Sequence, residues 1–319
     1  MVPTVTILMA IYKPNIKWLI EQLYSLNEQT YSNLKLLVWN DCPEDEIDYK
    51  KIYNKCITKF EYSIINSDKN LGSNGAFSKL TEIANSDYIA YCDQDDIWLS
   101  RKIEYLVKFA QSKETVLVCS DMFVIDENDK IVSNSITKIR KHQKFYLGKE
   151  QFKHLLSHNF VTGCTILVKT DFAKKVIPFP KEYFHDWWLA LHAAYINSLY
   201  VIKEPLIKYR IHSNNQTGFL LNIIDKQSYL ENHLFILDNR VKILKNTFYD
   251  EKSKYIIDEF ANFIKYRIDY QKKFSLKALV KIYKMRDYDL IGVYFEIIIS
   301  ILPKIGSNLL IKIIKNFKL

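Results

Sequence analysis

The sequence is poor in the residues and patterns that mark several common classes of protein. It contains only seven glycines and seven prolines among 319 residues, and it has no low-complexity run, which argues against a disordered or fibrous chain. No internal repeat of solenoid or propeller length is visible. Hydrophobic residues make up 48% of the chain and charged residues 25%, a balance typical of a folded protein with a sizeable core.

Cysteine is also scarce, and the five cysteines are widely separated with no C-x-x-C pair. An odd number at such spacings predicts neither a disulfide framework nor a structural zinc site, and it fits a reducing compartment. The first ten residues lack the basic and small-residue features of a signal peptide and read as the start of a strand. We therefore expect a cytoplasmic protein.

Positive charge is concentrated near the C-terminus. The formal net charge is +9, and residues 272–319 contain ten basic and three acidic residues, so this segment carries +7 and leaves +2 for the rest. The basicity is therefore a property of one region of the chain.

Short apolar segments alternate with segments of helical periodicity through the first 120 residues. Residues 5–10 and 34–39 have the pattern of strands, and residues 16–27 between them have that of a helix. Continued alternation predicts an α/β fold with a mostly parallel sheet flanked by helices. Ligands of such sheets bind beyond the carboxyl ends of the strands. The corresponding loops span residues 11–15, 40–45, 67–74 and 93–98.

The second half of the chain is less regular. The pattern predicts a hairpin over residues 124–132, a helix near 186–197, two short strands at 200–202 and 206–211, and helices from about residue 220 onward. We predict a catalytic domain over residues 1–218 and a helical region over residues 219–319.

The segment YCDQDDIWL, residues 91–99, places three carboxylates within four positions: Asp93, Asp95 and Asp96. Their mutual repulsion requires a nearby positive charge, and carboxylates are the ligands that hard divalent cations prefer at phosphate-transferring sites. The alternative is that these residues cap the following helix, since Asp is favoured at helix N-termini.

The C-terminal segments have helical patterns with both apolar and basic residues. In residues 290–302, Gly292, Glu296 and Ser300 recur every four positions and form one polar stripe on an otherwise apolar helix. This segment is too short to span a bilayer, and the next one, residues 309–317, is amphipathic with lysines. Such helices suit an anionic membrane surface. Alternatively, they pack against the catalytic domain or join two subunits in a homo-oligomer.

Six segments, taken in order, resemble the motifs of glycosyltransferase family 2. The resemblance covers roughly residues 3–218 and looks closest to bacterial rhamnosyltransferase-like members of the family. It implies a GT-A fold, a nucleoside-diphosphate sugar donor, a divalent metal (Mn²⁺ or Mg²⁺) and inversion at the anomeric carbon. The segments are ILMAIYKPN, LLVWND, NLGSNGAFSKL, YIAYCDQDDIW, FHDWWLALHAAY and YRIHSNNQTG.

The resemblance also implies roles for individual residues around the donor. Tyr12 would stack on the base and Asp41 would bind its edge, although the family often has two acids where this chain has Asn40 and Asp41. Asn70 and Gly72 match a turn that approaches the sugar nucleotide, or they form a plain entry to a helix.

The same resemblance implies the metal ligands. Asp95 would be the principal ligand, Asp93 would lie near the ribose and the metal, and Asp96 would be a further ligand or a helix cap. His212 matches a metal-binding histidine of the family, although a lone histidine is more often structural.

The segment FHDWW supplies the remaining candidate. Inverting transfer needs a general base for the acceptor hydroxyl, and Asp186 holds the matching position, with His185 where the family usually has an acid. Trp187 and Trp188 are candidates for stacking on donor or acceptor sugar, and at least one is expected in the core.

Together these features predict an inverting glycosyltransferase of bacterial cell-surface polysaccharide synthesis that acts on a lipid-linked glycan at the inner membrane face. The donor would be dTDP-rhamnose or a UDP-hexose. A nucleotidyltransferase is a weaker alternative, because no glycine-rich basic loop follows the first strand. A non-catalytic membrane adaptor would explain the basic end but not the acidic loops, which would also repel nucleic acid.

Overall fold

The computed structural model of the protein describes residues 2–140, 143–148, 151–212 and 222–316. The chain divides into two compact units, the first formed by Met1–Phe152 with Asn159–Ser213 and the second by Lys153–His158 with Asn214–Leu319. The first unit contains the sheet, and the second is helical.

The described residues of the first unit form nine strands in one mixed sheet. The strands are β1 (Val5–Ile11), β2 (Leu34–Asn40), β3 (Glu61–Asn66), β4 (Tyr88–Cys92), β5 (Ile97–Trp98), β6 (Leu117–Ile125), β7 (Ile131–Ser133), β8 (Ile166–Lys169) and β9 (Leu199–Arg210). Their order is β3-β2-β1-β4-β8-β6-β9-β5, with β7 paired to β6.

Helices connect these strands. They are α1 (Ile16–Asn27), α2 (Tyr49–Cys56), α3 (Gly72–Ile83), α4 (Lys102–Ser112), α5 (Ile136–Ile139), α6 (Gln151–Ser157), α7 (Thr170–Lys175) and α8 (His185–Tyr195), with a 3-10 turn at Gly163–Thr165. The predicted α/β class is confirmed. Strands β3, β2, β1 and β4 are parallel, whereas β8 runs antiparallel to β4 and β6.

The central strands are apolar along their length because both faces of the sheet are covered. All five residues of β4 are buried, and β1 is buried except for Ala10, as expected for parallel strands between two helical layers. Helix α1 begins where the Asn15 side chain accepts hydrogen bonds from the N–H groups of Lys17 and Trp18.

One prediction about the strands was wrong. The sequence predicts two strands at residues 200–202 and 206–211, but Leu199–Arg210 form the single strand β9. Pro205 interrupts the apolar pattern, and it lies opposite Asp121 where the register between β6 and β9 shifts. Because proline lacks a backbone donor, a register shift lets the strand continue past it. The predicted hairpin at residues 124–132 is formed by β6 and β7.

The second unit confirms the helical pattern of the C-terminal region. It contains α9 (Lys226–Tyr229), a π-helical segment (Leu230–Leu234), α10 (Phe235–Thr247), α11 (Glu251–Lys272), α12 (Leu276–Lys284), a 3-10 turn (Arg286–Tyr288), α13 (Leu290–Ile301) and α14 (Lys304–Asn316). Within the described part of the chain, none of the helices combines the length and hydrophobicity needed to cross a bilayer.

The polar stripe of α13 faces the interior of this unit. Glu296 is 1% exposed, and its Oε1 lies 2.7 Å from a guanidinium nitrogen of the buried Arg267 on α11 and accepts a hydrogen bond from the hydroxyl of Tyr229 at 2.8 Å. Asp289 caps α13 and pairs with Arg267 at 3.0 Å. Arg267 therefore pairs with both acids and links α13 to α11. We call Arg267, Asp289 and Glu296 the Arg267 clasp.

Substituting Gly292 tests this clasp. A Cβ there would lie 2.6 Å from Cγ of Asp289 and 2.8 Å from the Arg267 guanidinium, so Gly292→Ala must displace a buried ion pair. We expect the free energy of unfolding to fall by about 2–4 kcal/mol, measured by urea denaturation. The matched control is Gly306→Ala in α14, where the nearest neighbour of a new Cβ is 3.7 Å away. There, alanine should be neutral or stabilise by up to ~1 kcal/mol, and an equal loss at both positions would contradict the role of the clasp.

Candidate functional site

The loops at the carboxyl ends of the parallel strands meet at one edge of the sheet. The N–H of Asp41, after β2, donates to the carbonyl of Ile11 in β1 at 2.9 Å. Gln94, after β4, accepts a hydrogen bond from the N–H of Tyr12 at 2.8 Å and donates to its carbonyl at 3.2 Å. Gln94 therefore joins the acidic loop to the loop that carries Tyr12.

The residues predicted to bind the nucleotide lie on these loops. Tyr12 is 44% exposed, which leaves its ring accessible. Asp41 is buried, and its Oδ1 accepts hydrogen bonds from the indole of Trp39 at 3.2 Å and from the N–H of Leu71 at 2.8 Å. Asp41 thus holds the start of the turn that contains Asn70 and Gly72.

That turn leads directly into α3. The Asn70 side chain accepts a hydrogen bond from the N–H of Gly72 at 2.9 Å, and Gly72 has a φ of +68°, a conformation that favours glycine. Both readings of the segment, a helix entry and a backbone approach to the donor, are compatible with this geometry.

The three carboxylates of the acidic loop point to different partners. Asp95 Oδ2 lies 2.7 Å from Nε2 of His212, whereas Asp96 is fully buried and accepts a hydrogen bond from the N–H of Arg210 at 2.9 Å. Strand β5 separates these residues from α4, which begins at Lys102. The alternative that the acids cap this helix is therefore wrong.

Two buried cations lie at the acidic loop, and Lys102 offsets part of its negative charge. Lys102 is fully buried, with its ammonium 2.5 Å from the carbonyl of Cys164 and 3.2 Å from the centre of the Trp98 ring. Burial lowers the pKa of Lys102 to about 8, although nearby Cys164, Cys92, Asp96 and Asp93 oppose this shift.

Arg210 is the second buried cation. Its guanidinium pairs with Glu21 at 2.9 Å and Asp129 at 2.5 Å, and its Nε donates to the carbonyl of Asp95 at 2.8 Å. The side chain has no exposed surface. Arg210 therefore positions both the backbone of Asp95 and the end of β9 that carries His212.

Two groups of side chains have compositions that suit a metal. Ligand atoms of Asp93, Asp96 and Cys164 lie within 4.8 Å of one another, but the Lys102 ammonium lies against the Cys164 carbonyl and already supplies positive charge there. The second group is the pair of Asp95 and His212, where Arg210 donates a hydrogen bond to the backbone carbonyl of Asp95. Two adjacent ligands of an octahedral ion at about 2.1 Å are roughly 3.0 Å apart, close to their 2.7 Å separation. Carboxylate oxygens suit both Mn²⁺ and Mg²⁺, whereas the imidazole ligand favours Mn²⁺ over the oxygen-preferring Mg²⁺ at this pair.

The electrostatics of Asp93 link the acidic loop to Asp186. Burial raises the pKa of Asp93 to about 7, and the charges of Asp95 and Asp186 contribute to this rise. The tertiary structure therefore brings Asp93 and Asp186, which are 93 residues apart in sequence, within electrostatic range.

Asp186 lies in the first turn of α8, and both of its carboxylate oxygens are held. Oδ1 accepts hydrogen bonds from the side-chain amide of Asn159 at 3.0 Å and from the N–H of Trp187 at 2.5 Å, and Oδ2 accepts one from the N–H of Gly163 at 2.9 Å. Burial raises the pKa of Asp186 to about 6, and these hydrogen bonds limit the rise. A carboxylate with this pKa is suited to accept a proton near neutral pH.

His185 lies in an aromatic cluster. Its ring centre is 4.3 Å from that of Phe77 and 4.9 Å from that of Tyr91, and burial lowers its pKa to about 3. A Cβ on Gly163 would lie 2.6 Å from its Nε2, so the glycine makes room for the imidazole while its N–H reaches Asp186. His185 is therefore a neutral packing partner.

Trp187 and Trp188 are both almost completely buried, at 8% and 5% exposure. Each ring contacts Tyr183, and the indole N–H of Trp188 donates to the carbonyl of Val176 at 3.0 Å. The sequence predicts that at least one of these tryptophans lies in the core, and in the structure both do. Little of either ring face is open to a sugar.

Sequence reasoning did not single out four residues that shape the site. These are Gln94, Lys102, Asn159 and Arg210. A signal existed for Arg210, because a charged residue in the apolar strand pattern of YRIH requires a buried partner. Asn159 carried no local signal, since its partner Asp186 is 27 residues away.

Comparison with known proteins identifies the class that this fold and site define. The family model described as glycosyl transferase family 2 matches residues 6–176. The chain belongs to glycosyl transferase family 2.

Curated relatives share this class. An uncharacterized glycosyltransferase of Methanocaldococcus jannaschii is 28% identical over 71% of this chain and 77% of its own length. The dTDP-rhamnosyl transferase RfbG of Shigella flexneri is 27% identical over 77% and 82%. The UDP-Glc:alpha-D-GlcNAc-diphosphoundecaprenol beta-1,3-glucosyltransferase WfgD of Escherichia coli is 25% identical over 60% and 71%.

A solved structure shares the fold. S. aureus TarS (residues 1–349), crystallised with UDP-GlcNAc, superposes with a TM-score of 0.58 over 92% of this chain and 80% of that chain, at 12% identity. At this identity the match supports the GT-A fold alone.

Proposed function

We propose that this protein is an inverting, metal-dependent glycosyltransferase that moves a sugar from a nucleoside diphosphate to a hydroxyl group of a lipid-linked glycan. The observation that carries the proposal is the arrangement of Asp186. It is a half-buried carboxylate held at both oxygens, with a pKa of about 6, within electrostatic range of the acidic loop.

Asp186 acts as the general base. Asn159 and the N–H of Gly163 fix the direction of the carboxylate, so a remaining lone pair accepts the acceptor proton as its oxygen attacks the anomeric carbon. Attack and departure of the nucleoside diphosphate occur on opposite faces of the sugar, which inverts the configuration. A direct displacement needs no second carboxylate as nucleophile.

Asp95 and His212 would hold the divalent metal, with Asp93 as a further candidate ligand. When bound, the metal neutralises the diphosphate and stabilises it as a leaving group. Tyr12, Asp41, Asn70 and Gly72, on the loops after β1, β2 and β3, would bind the nucleotide, and the exposed ring of Tyr12 would stack on its base.

The names of the relatives guide the choice of substrates. One relative is a dTDP-rhamnosyl transferase and another uses UDP-Glc and an undecaprenyl-linked acceptor. We propose a role in cell-surface polysaccharide synthesis at the inner face of the membrane, with dTDP-rhamnose as the first donor candidate and UDP-hexoses as the second.

Release of nucleoside diphosphate from dTDP-, UDP- and GDP-sugars, with Mn²⁺ or Mg²⁺, tests the proposal. Slow hydrolysis by water reports the donor before the acceptor is known. We expect one nucleotide class to turn over only with metal. If none turns over and titration calorimetry detects no binding of any of the nucleotides, the proposed function is wrong. Release of pyrophosphate from a nucleoside triphosphate would instead indicate a nucleotidyltransferase.

A further inference from the structure

The last two helices, α13 and α14, carry a row of exposed apolar side chains. Exposed fractions along it range from 42% to 85%, with the largest values at Ile301 and Ile305. We call this surface the C-terminal apolar face. It consists of Ile291, Tyr294, Ile298 and Ile301 on α13 and Ile305, Leu309 and Ile313 on α14.

Because the polar residues of α13 pack inside the second unit, its apolar residues on the opposite side are exposed. A surface helix normally buries its apolar side and exposes its polar side, but Arg267 holds Glu296 and Asp289 inside the unit. The buried side also contains Val293, Phe295 and Ile299. Helix α13 is thus apolar on its outer side as well, which is typical of a helix that has an apolar neighbour there.

The charge of this region indicates what that neighbour is. Two of the three acids in residues 272–319, Asp289 and Glu296, are bound to Arg267 in the interior, which leaves Asp287 as the one other acid of this segment. From outside the segment, Asp225 lies within electrostatic range of Lys304. The charged groups that this segment itself exposes are therefore mainly basic. Lys304 and Lys312 on α14 are exposed beside the aliphatic residues.

Electrostatics separate the two candidate neighbours. In a symmetric contact, a second copy of this chain would bring the same lysines together, and like charges repel. An anionic lipid surface attracts them, while its acyl boundary accepts the isoleucines.

We propose that α13 and α14 lie in the plane of an anionic phospholipid surface, with the C-terminal apolar face in the acyl boundary and Lys304 and Lys312 at the phosphates. The lipid contact would hold the transferase near a lipid-linked acceptor, and this purpose rests on the proposed function. The binding itself can be measured without any sugar transfer.

Co-sedimentation of the full-length protein with vesicles tests the proposal. We compare phosphatidylcholine vesicles with vesicles containing phosphatidylglycerol, and expect binding to the anionic vesicles that weakens as salt rises. The variant Ile301→Asp/Ile305→Asp changes side chains that are 70% and 85% exposed, and it should lower the partition coefficient by about tenfold or more. Lys304→Glu/Lys312→Glu should weaken binding and reduce its dependence on salt.

The matched control is Ile83→Asp/Ile196→Asp, which places the same charges on exposed isoleucines of the first unit, 45% and 48% exposed. It should sediment like the wild type. Equal binding by Ile301→Asp/Ile305→Asp and the wild type, or no binding by the wild type, would overturn the inference. Self-association that disappears in the same variant, without vesicle binding, would assign the face to a second copy.

Donor hydrolysis is followed in parallel to separate the two proposals. A variant that loses vesicle binding but still hydrolyses the donor supports the lipid contact. Wild-type protein that binds vesicles but neither turns over nor binds any donor would contradict the proposed transferase while leaving the lipid contact intact.

Discussion

Asp186→Asn is expected to lower glycosyl transfer by about 10²–10⁴-fold while leaving donor binding nearly unchanged. The amide has the shape of the carboxylate and can still accept from Asn159 or Gly163, but it cannot take up the acceptor proton. Initial rates with the identified donor measure the first effect, and titration of the donor measures the second. A variant that loses both would indicate a structural role for Asp186 instead.

The same carboxylate should determine the acid side of the pH profile. A general base is active when deprotonated, and burial raises the pKa of Asp186 to about 6. Activity should therefore rise as the pH increases through about 6 and then level off. Asp171→Asn, at an exposed position on α7, is the matched control and should keep both the rate and the profile of the wild type.

Asp95→Asn is expected to lower metal-dependent turnover by about 10²–10³-fold at a fixed Mn²⁺ concentration, because stabilisation of a leaving diphosphate by metal is worth several kcal/mol. Loss of one anionic ligand should also raise the metal concentration needed for half-maximal activity. His212→Gln should produce the same kind of shift, since Nε2 of His212 lies 2.7 Å from the Asp95 carboxylate.

Metal titrations of the two variants beside Asp171→Asn provide the measurement. Wild-type activity that persists in a chelator would remove the metal from the mechanism but leave the transferase. Equal losses in Asp95→Asn at all metal concentrations, with no change in the half-maximal value, would assign Asp95 to the fold of the loop instead.

Local sequence predicted those parts of the fold that depend on short-range patterns. The apolar strands β1 and β4, the helical stripe of α1 and the acidic loop after β4 are each visible within about a dozen residues, because burial on both sides of a sheet imposes its own pattern. Strand β9 was predicted as two pieces, since Pro205 looks like an end until its register shift against β6 is known.

The partners of the polar residues were beyond local reasoning. No sequence pattern assigned Lys102 or Arg210 to the acidic loop. Lys102 lies 6 residues from Asp96 along the chain, and Arg210 lies 114 residues from it. A buried cation requires compensating groups, but the sequence does not tell which ones will be near.

The sequence by itself determined the α/β class, the family and the candidate residues, because hydrophobic periodicity and ordered motifs are local properties. Only the tertiary structure decided that His212 meets Asp95, that Asn159 and Gly163 hold Asp186, and that α13 turns its polar stripe inward. Each of these depends on which distant residues packing brings within a few ångströms, where hydrogen bonds and ion pairs act.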